Sequence, residues 1–409
     1  MHFEIPYEKR RLSLDIPDKN VVPLICKDNL EEVPVNEDKI IADAIKNPVS
    51  TDRIFNLAYL KSSACILVSD ITRPCPSYKF MEQIISELKK AKVKDIKILF
   101  GLGIHRKHSD EEKIRLVGKY AAENARLIDF DAENVEYTGT TSFGTPVEVS
   151  KEVISSDFLI ATGNIEYHYF AGYSGGAKAL MPGVCSKKTI KANHSMMLDN
   201  DSVAANFISN PVRQDIEEAG KLASIDFLFN VILNDSKNII AAVSGKNNEA
   251  FIKGIKIYDS LYEINVDEKA DLVITSPGGY PKDINLYQAQ KALDNIKGIV
   301  KDGGKIVFIA ACSEGYGEVM FEEWMQEVND YEKLSKKIKQ DFVLGGHKAV
   351  AISRLLTKSD VFIYSDFKDF EKIGLKRINN IQDFIDGLIR KEKNIKIAVV
   401  PNGRFVKSL

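Results

Sequence analysis

Short continuous apolar runs that end in polar loops recur along the first half of the chain. ACILVSD (64–70), DIKILFGLG (95–103) and DFLIATGNI (157–165) each have the length and content of a buried strand. The segments between them change period. After the proline-broken loop ITRPCPS, SYKFMEQIISELKKA carries apolar residues at helical spacing, and IHRKHSDEEKIRLVGKY sets Ser109 and Glu112 at capping-box distance ahead of another helix. Strands alternating with helices predict a mainly parallel sheet with helices on its faces. In such sheets ligands gather beyond the carboxyl ends of the strands.

From about residue 266 the alternation restarts. ADLVITSPGGY reads as strand and turn, NLYQAQKALDNIKGIV as helix, and GGKIVFIAACSEGYG as strand and loop. A chain of 409 residues exceeds the usual size of one hydrophobic core. The fold expected is therefore α/β in two domains, each with a mainly parallel sheet flanked by helices, and with the active site in the cleft between them. Residues 1–265 form the first domain and 266–392 the second. A last strand candidate, IKIAVVPNG, is expected to cross back, so that 393–409 rejoin the first. No repeat of short fixed period is visible.

Charge narrows the function classes. The 56 basic and 58 acidic side chains are dispersed, which leaves no electrostatic footprint for nucleic acid. No run of 18 apolar residues occurs, and the opening MHFEIPYEKRR lacks the apolar core of a signal peptide, so a cytoplasmic protein without a membrane role is expected. The five cysteines, Cys26, Cys65, Cys75, Cys185 and Cys312, are scattered without a CxxC pair. They read as reduced and mostly structural.

Candidate chemistry sits in the loops after the strands. His105 and His168 both follow strands, and imidazole exchanges protons near neutrality. His108, just before the predicted N-cap Ser109, reads instead as an exposed residue flanking a helix. In DITR, Arg73 has the planar fork that suits phosphate or carboxylate, while a structural pair with Asp70 fits equally well. The loop HYFAGYSGGAKALMPG (168–183) resembles a phosphate cradle, but Ala177 and Ala179 stand where a Walker A motif needs glycine and a hydroxyl. Gly175 and Gly176 still permit close approach of an anion or a planar ring. Lys178 is then either a phosphate contact, the simpler reading, or a desolvated nucleophile. In the second domain Gln288 and Lys291 share a helix face behind a Gly-Gly turn, placed for solvent or for an anionic ligand.

Taken together, SDITRP (69–74), GLGIHR (101–106), the loop 168–183, the downstream His194 and LYQAQK (286–291) resemble, in order and separation, the nickel-dependent lactate racemase family. The resemblance covers nearly the whole chain. It implies a nickel pincer nucleotide, a pyridinium-3,5-bisthiocarboxylic acid mononucleotide whose arms hold nickel through carbon and sulfur, joined covalently to Lys178. It assigns His194 to the metal, Asp70, Ile71, Thr72 and Arg73 to the cofactor, and His105 and His168 to proton transfer. It further assigns Arg73, Tyr287, Gln288 and Lys291 to the substrate. The implied reaction is racemisation or epimerisation of a 2-hydroxy acid by reversible hydride transfer to the cofactor. Separate enzymes build that cofactor and are transient partners, so protein expressed without them is expected to lack it.

One position departs from the founding members. Where they carry a tryptophan beside the substrate, GGHKAVAISRLL (345–356) offers His347, a polar ring that can become cationic. A substrate larger or more polar than lactate is expected from that exchange. Two other function classes compete: a nucleotide-dependent kinase or dehydrogenase, against which the Walker mismatch counts, and a non-catalytic protein that binds a nucleotide or hydroxy acid.

Overall fold

The computed structural model describes residues 1–26, 36–103, 105–234, 236–340, 342–343, 345–367, 369–403 and 405–408. Ile104 of the GLGIHR motif lies outside them. The chain divides into two compact units, residues 28–261 and residues 1–27 with 262–409.

In the unit of residues 28–261, a six-stranded sheet runs in the order Ile239–Gly245, Phe227–Leu233, Leu159–Asn164, Ser63–Ser69, Asp95–Gly101, Arg126–Asp129. Every pairing is parallel except that of the first two strands. The three expected strands are its centre. Their interiors are buried, which is why they read as unbroken apolar runs rather than alternating ones. The expected helix at 110 is present, and Ser109 and Glu112 form the capping box in both directions. Because Leu159–Asn164, Ser63–Ser69 and Asp95–Gly101 are parallel neighbours, the three loops that leave their carboxyl ends lie side by side. The Asp70 to Arg73 loop is in the middle.

The other unit has a five-stranded, wholly parallel sheet ordered Lys376–Arg377, Asp360–Tyr364, Val300–Ile309, Ala270–Thr275, Ile397–Val400. Here the expected domain limits need correction. Ile397–Val400 pairs with Ala270–Thr275 instead of returning to the first sheet. It is the N-terminus that crosses. The hairpin of His2–Tyr7 and Arg10–Asp15 turns Ile5, Tyr7, Leu14 and Ile16 onto Leu272, Ile274, Val307, Ile309, Ile397 and Val399. Alternation gives that hairpin one apolar face, and burying it against the sheet fixes its place. The predicted helix after residue 285 is divided into Leu286–Ala289 and Lys291–Ile296, joined at Gln290.

Cys65, Cys75, Cys185 and Cys312 are unpaired and buried, in keeping with structural roles. Among the described residues no helix is long and apolar enough to cross a membrane.

Candidate active site

The central loop is built around a buried carboxylate. Asp70 closes a tight turn: its Oδ1 accepts from the Thr72 amide at 3.0 Å and the Thr72 hydroxyl at 2.6 Å, and its carbonyl accepts from the Arg73 amide at 3.1 Å. Its Oδ2 bonds Nδ1 of His105, from the next loop. Burial pushes the Asp70 carboxyl up, but the bonds from His105 and Thr72 outweigh it and hold the group below its ordinary range. An ionised carboxylate only accepts, so His105 carries its neutral-form proton on Nδ1 and keeps the Nε2 lone pair for work. The His105 side chain stays 45% exposed while Asp70 is 3% exposed, so the imidazole meets solvent and its orienting partner does not. Asp70 is therefore spent on His105 and Thr72, not on a structural pair with Arg73. The Arg73 side chain is exposed and makes no ion pair among the described residues.

His108 contradicts its expected place on the surface. Its side chain is 1% exposed, with Nδ1 2.7 Å from Oδ1 of Asp129 and its ring edge-on to Phe100 at 5.2 Å. Its Nε2 accepts the amide of Ile71 at 3.2 Å. The partner that buries it stands 21 residues further on, at the end of the adjacent Arg126–Asp129 strand, where Asp129 is paired with Phe100. Local pattern carried no sign of that pairing.

On the other side of the centre, Tyr167–His168 and Gly172–Tyr173 form a tight antiparallel hairpin. The Ala171 amide donates to Nδ1 of His168 at 3.2 Å, so the neutral ring carries its proton on Nε2. The Phe170 ring stands edge-on to His168 at 4.6 Å and to His194 at 5.0 Å, which brings those two histidines around one aromatic spacer.

The glycines that follow serve the protein's own packing, which corrects their reading as room for a ligand. Gly175 and Gly176 have φ of 85° and 62°, and a Cβ on them would lie 2.6 Å from Oδ1 of Asn230 and 2.5 Å from Nη2 of Arg213. The Gly176 amide is already engaged, donating to Asn230 at 2.8 Å. Arg213, fully buried, donates to the carbonyls of Tyr173 and Gly175 at 3.1–3.2 Å, pairs with Glu217, and lies 4.1 Å from the centre of the Phe251 ring. Asn230 and Arg213 thus clamp the loop from beneath. Lys178 follows on the short 3₁₀ turn Gly176–Ala179, half-buried. Burial first, then the Arg73 and Arg213 charges, push its amine well below the ordinary lysine range, with Glu166 opposing. Lowering in this direction favours the neutral, nucleophilic amine, the second reading of Lys178, over a phosphate contact.

His194 ends the Lys187–Ser195 helix, which Ser186 caps. Its Nδ1 is 3.1 Å from Oδ1 of Asn193. The Asn193 amide nitrogen donates to the Val212 carbonyl at 3.0 Å and to Oδ2 of Asp215 at 2.8 Å, and this fixes which end of the amide faces His194. Asp215 is itself buried and bound by the Thr141 and Thr145 hydroxyls. His194 accordingly holds its proton on Nδ1 and its lone pair on Nε2, the form a metal takes.

The remaining expected residues belong to the other unit. Asn285 caps the short helix by accepting from the Gln288 amide at 3.0 Å, and Nζ of Lys291 bonds Oε1 of Gln288 at 3.0 Å, so these two share a face as expected. Lys348, which the sequence reading passed over, donates to the Tyr287 carbonyl at 2.6 Å and sits 3.4 Å from the centre of its ring. His347 is buried at the start of the Gly346–Leu356 helix, where Nδ1 accepts from the Gly345 amide at 3.2 Å. Burial, with help from the Lys348 charge, pushes it down to about 3. It is a neutral ring at physiological pH, and the expectation of a cationic wall there is withdrawn.

The chain is similar to known proteins along nearly its whole length. Residues 7–206 match the lactate racemase N-terminal domain and residues 266–406 the lactate racemase C-terminal domain. The chain is 33% identical over 417 residues to the lactate racemase of Thermoanaerobacterium thermosaccharolyticum and 29% identical over 415 residues to that of Lactiplantibacillus plantarum, covering 98% of each chain in both cases. It superposes on the lactate racemase apoprotein structure from T. thermosaccharolyticum with a TM-score of 0.90 at 32% identity over the full length of both chains. A Thermotoga maritima protein shares the fold, with a TM-score of 0.64 at 16% identity over 93% of this chain. The chain belongs to the lactate racemase family, and it is an isomerase of that kind.

Proposed function

We propose that this isomerase inverts the carbinol carbon of a 2-hydroxy acid with a nickel pincer nucleotide fastened to Lys178 and His194. The observation that carries the reading is the position of Lys178, on the turn after the histidine hairpin at the end of the same sheet that presents the Asp70–His105 pair, where burial also lowers its amine. The chain's own residues fit such a group. Among the described residues no cluster of three or more metal-ligating side chains occurs. A metal bound here through His194 would need its other donors from its own organic ligand, as a pincer supplies them. When bound, the group provides reversible acceptance of hydride.

The protein's part is orientation and proton transfer. His105, held by Asp70, takes the hydroxyl proton of one enantiomer at Nε2. His168 gives a proton at Nε2 when the ketone oxygen becomes the hydroxyl of the other enantiomer, which requires the doubly protonated ring with the Ala171 contact to Nδ1 open. For the enantiomer of opposite hand the roles exchange, and His168 can accept at Nε2 only after its proton moves to Nδ1 and the Ala171 contact opens. Arg73, on the exposed turn beside Asp70, offers its guanidinium to the substrate carboxylate or the nucleotide phosphate, with Ile71 and Thr72 lining the nucleotide. Tyr287, Gln288 and Lys291 are assigned to the substrate. A neutral His347 still gives a more polar wall than tryptophan, so the substrate tail is proposed to be bulkier or more hydroxylated than a methyl group. The partners are the hydroxy acid and, transiently, the enzymes that assemble the cofactor, in the cytoplasm.

The deciding experiment is co-expression with those assembly enzymes in the presence of nickel. It is followed by peptide mass spectrometry of Lys178 and by polarimetry on lactate, malate, phenyllactate and sugar acids. An adduct on Lys178 with loss of optical activity is expected. An unmodified lysine together with unchanged rotation on every substrate would sink the proposal, and lactate turning over much faster than the rest would remove its substrate clause.

A further inference from the structure

We infer that His108, with Asp129, is a positioning residue for the Asp70–His105 pair. The inference rests on the proposed role of His105 as the base. Ile71 follows Asp70 directly, and its amide is an obligate donor to Nε2 of His108. The opposite nitrogen faces Oδ1 of Asp129, whose Oδ2 takes the His108 backbone amide at 3.2 Å. The ring and the backbone of His108 are thus both fastened to one carboxylate. Lys113, from the helix that Ser109 caps, approaches the same carboxylate at 3.3 Å, and Phe100 closes the remaining edge.

This geometry sets the protonation form of His108. Nε2 must be bare to accept from Ile71, so the proton lies on Nδ1, toward Asp129. A carboxylate and a neutral histidine behind the loop therefore fix the backbone beside Asp70, and Asp70 in turn fixes His105. One Asp–His pair orients the other through a single peptide unit. Both ring nitrogens are bonded, as a buried imidazole requires, and the accepting one spends its bond on the loop that carries Asp70.

The first test uses the unaltered apoprotein. Nitrogen-15 NMR at neutral pH is expected to show His108 as the Nδ1–H tautomer, the minor form of free imidazole, with a downfield proton on Nδ1 of His105. An Nε2–H tautomer at His108 would overturn the inference without touching the proposed activity. The second test uses His108→Phe, which keeps the ring packing, and His108→Gln, which keeps an acceptor near Nε2. In co-expressed enzyme, with rates normalised to the fraction of Lys178 carrying the adduct, His108→Phe is expected to lower kcat by about 10- to 100-fold. It should change KM little and lose the downfield His105 signal, while His108→Gln recovers both. If His108→Phe keeps the signal and the wild-type kcat, His108 is only packing. If the loaded wild-type enzyme fails to racemise any substrate, the functional proposal fails instead, and the NMR result still judges this one.

Discussion

The Nδ1–H of His194 donates a hydrogen bond to the side-chain oxygen of Asn193, its neighbour in the chain, at 3.1 Å. Asn193 can receive it only because its other end is held by the Val212 carbonyl and by Asp215. Removing the acceptor takes away the bond that sets this tautomer. Outer partners of this type typically change metal affinity by about 10- to 100-fold. Asn193→Leu is therefore expected to lose nickel in that range while the Lys178 adduct stays unchanged. Metal analysis and intact mass on the same sample separate the two. Equal loss of both would mean that the loop, not the tautomer, had been disturbed.

Asp70→Asn tests the first proton relay. An amide in that place offers an N–H as readily as an oxygen, so His105 is no longer held with Nε2 bare. The comparable change in a serine-protease triad costs about 10⁴-fold. A loss of about 10³-fold or more in kcat is expected here, at unchanged cofactor loading. The same carboxyl sets a pH effect on stability. Its folded pKa is lowered, so its contribution is present above the ordinary carboxyl range and is lost as pH falls through the folded value. Acid unfolding of the apoprotein should consequently be shallower in Asp70→Asn, as followed by circular dichroism below pH 4.

Much of this site could be read from the chain because its parts are local. Each of the loops bearing Asp70, His105 and His168 follows an apolar run dense enough to be a strand, and the capping box at Ser109 needs four residues only. What escaped were partnerships between distant segments. His108 looks exposed until Asp129 arrives from the next strand, and Gly175 and Gly176 look like ligand space until Asn230 and Arg213 fill it. Arg213 carried one usable signal, a glutamate four residues on in the helix Pro211–Leu222. The N-terminal hairpin shows its alternation in FEIPY and RLSLDI, yet no local feature says which sheet that face will cover. Ile397–Val400 was misassigned for the same reason.

Lys178 is expected to cost the apoprotein stability. Its amine is desolvated and stands near the Arg73 and Arg213 charges, so the folded state binds its proton less readily than the unfolded chain does. Through this group stability rises with pH from the lowered folded value up to the ordinary lysine range. Lys178→Met should abolish cofactor attachment and raise the melting temperature of the apoprotein at pH 7. Calorimetry of the two apoproteins checks it. A lower melting temperature would show that the lysine stem packs better than its amine repels.

Lys348 makes a second, separate pH prediction in the other unit. Burial and the nearby Lys291 push its amine down to about 7, against the pull of Asp294 and Glu318. Between that value and the ordinary lysine range the unfolded chain binds the proton and the folded chain gives it up, so stability should increase as pH rises from 7 toward 10. Below 7 both states are protonated and the slope from this group vanishes. In Lys348→Met the rise is expected to flatten, because no amine remains to titrate, and the Tyr287 carbonyl loses its donor. Urea midpoints for the transition of this unit, measured from pH 6 to 10 in both proteins, give the comparison. The same variant ties the group to the proposed substrate residues: with Tyr287 no longer anchored, KM for the hydroxy acid should rise while the Lys178 adduct, carried by the other unit, forms normally. An unchanged KM would leave Lys348 a structural lysine with a low pKa and no part in binding.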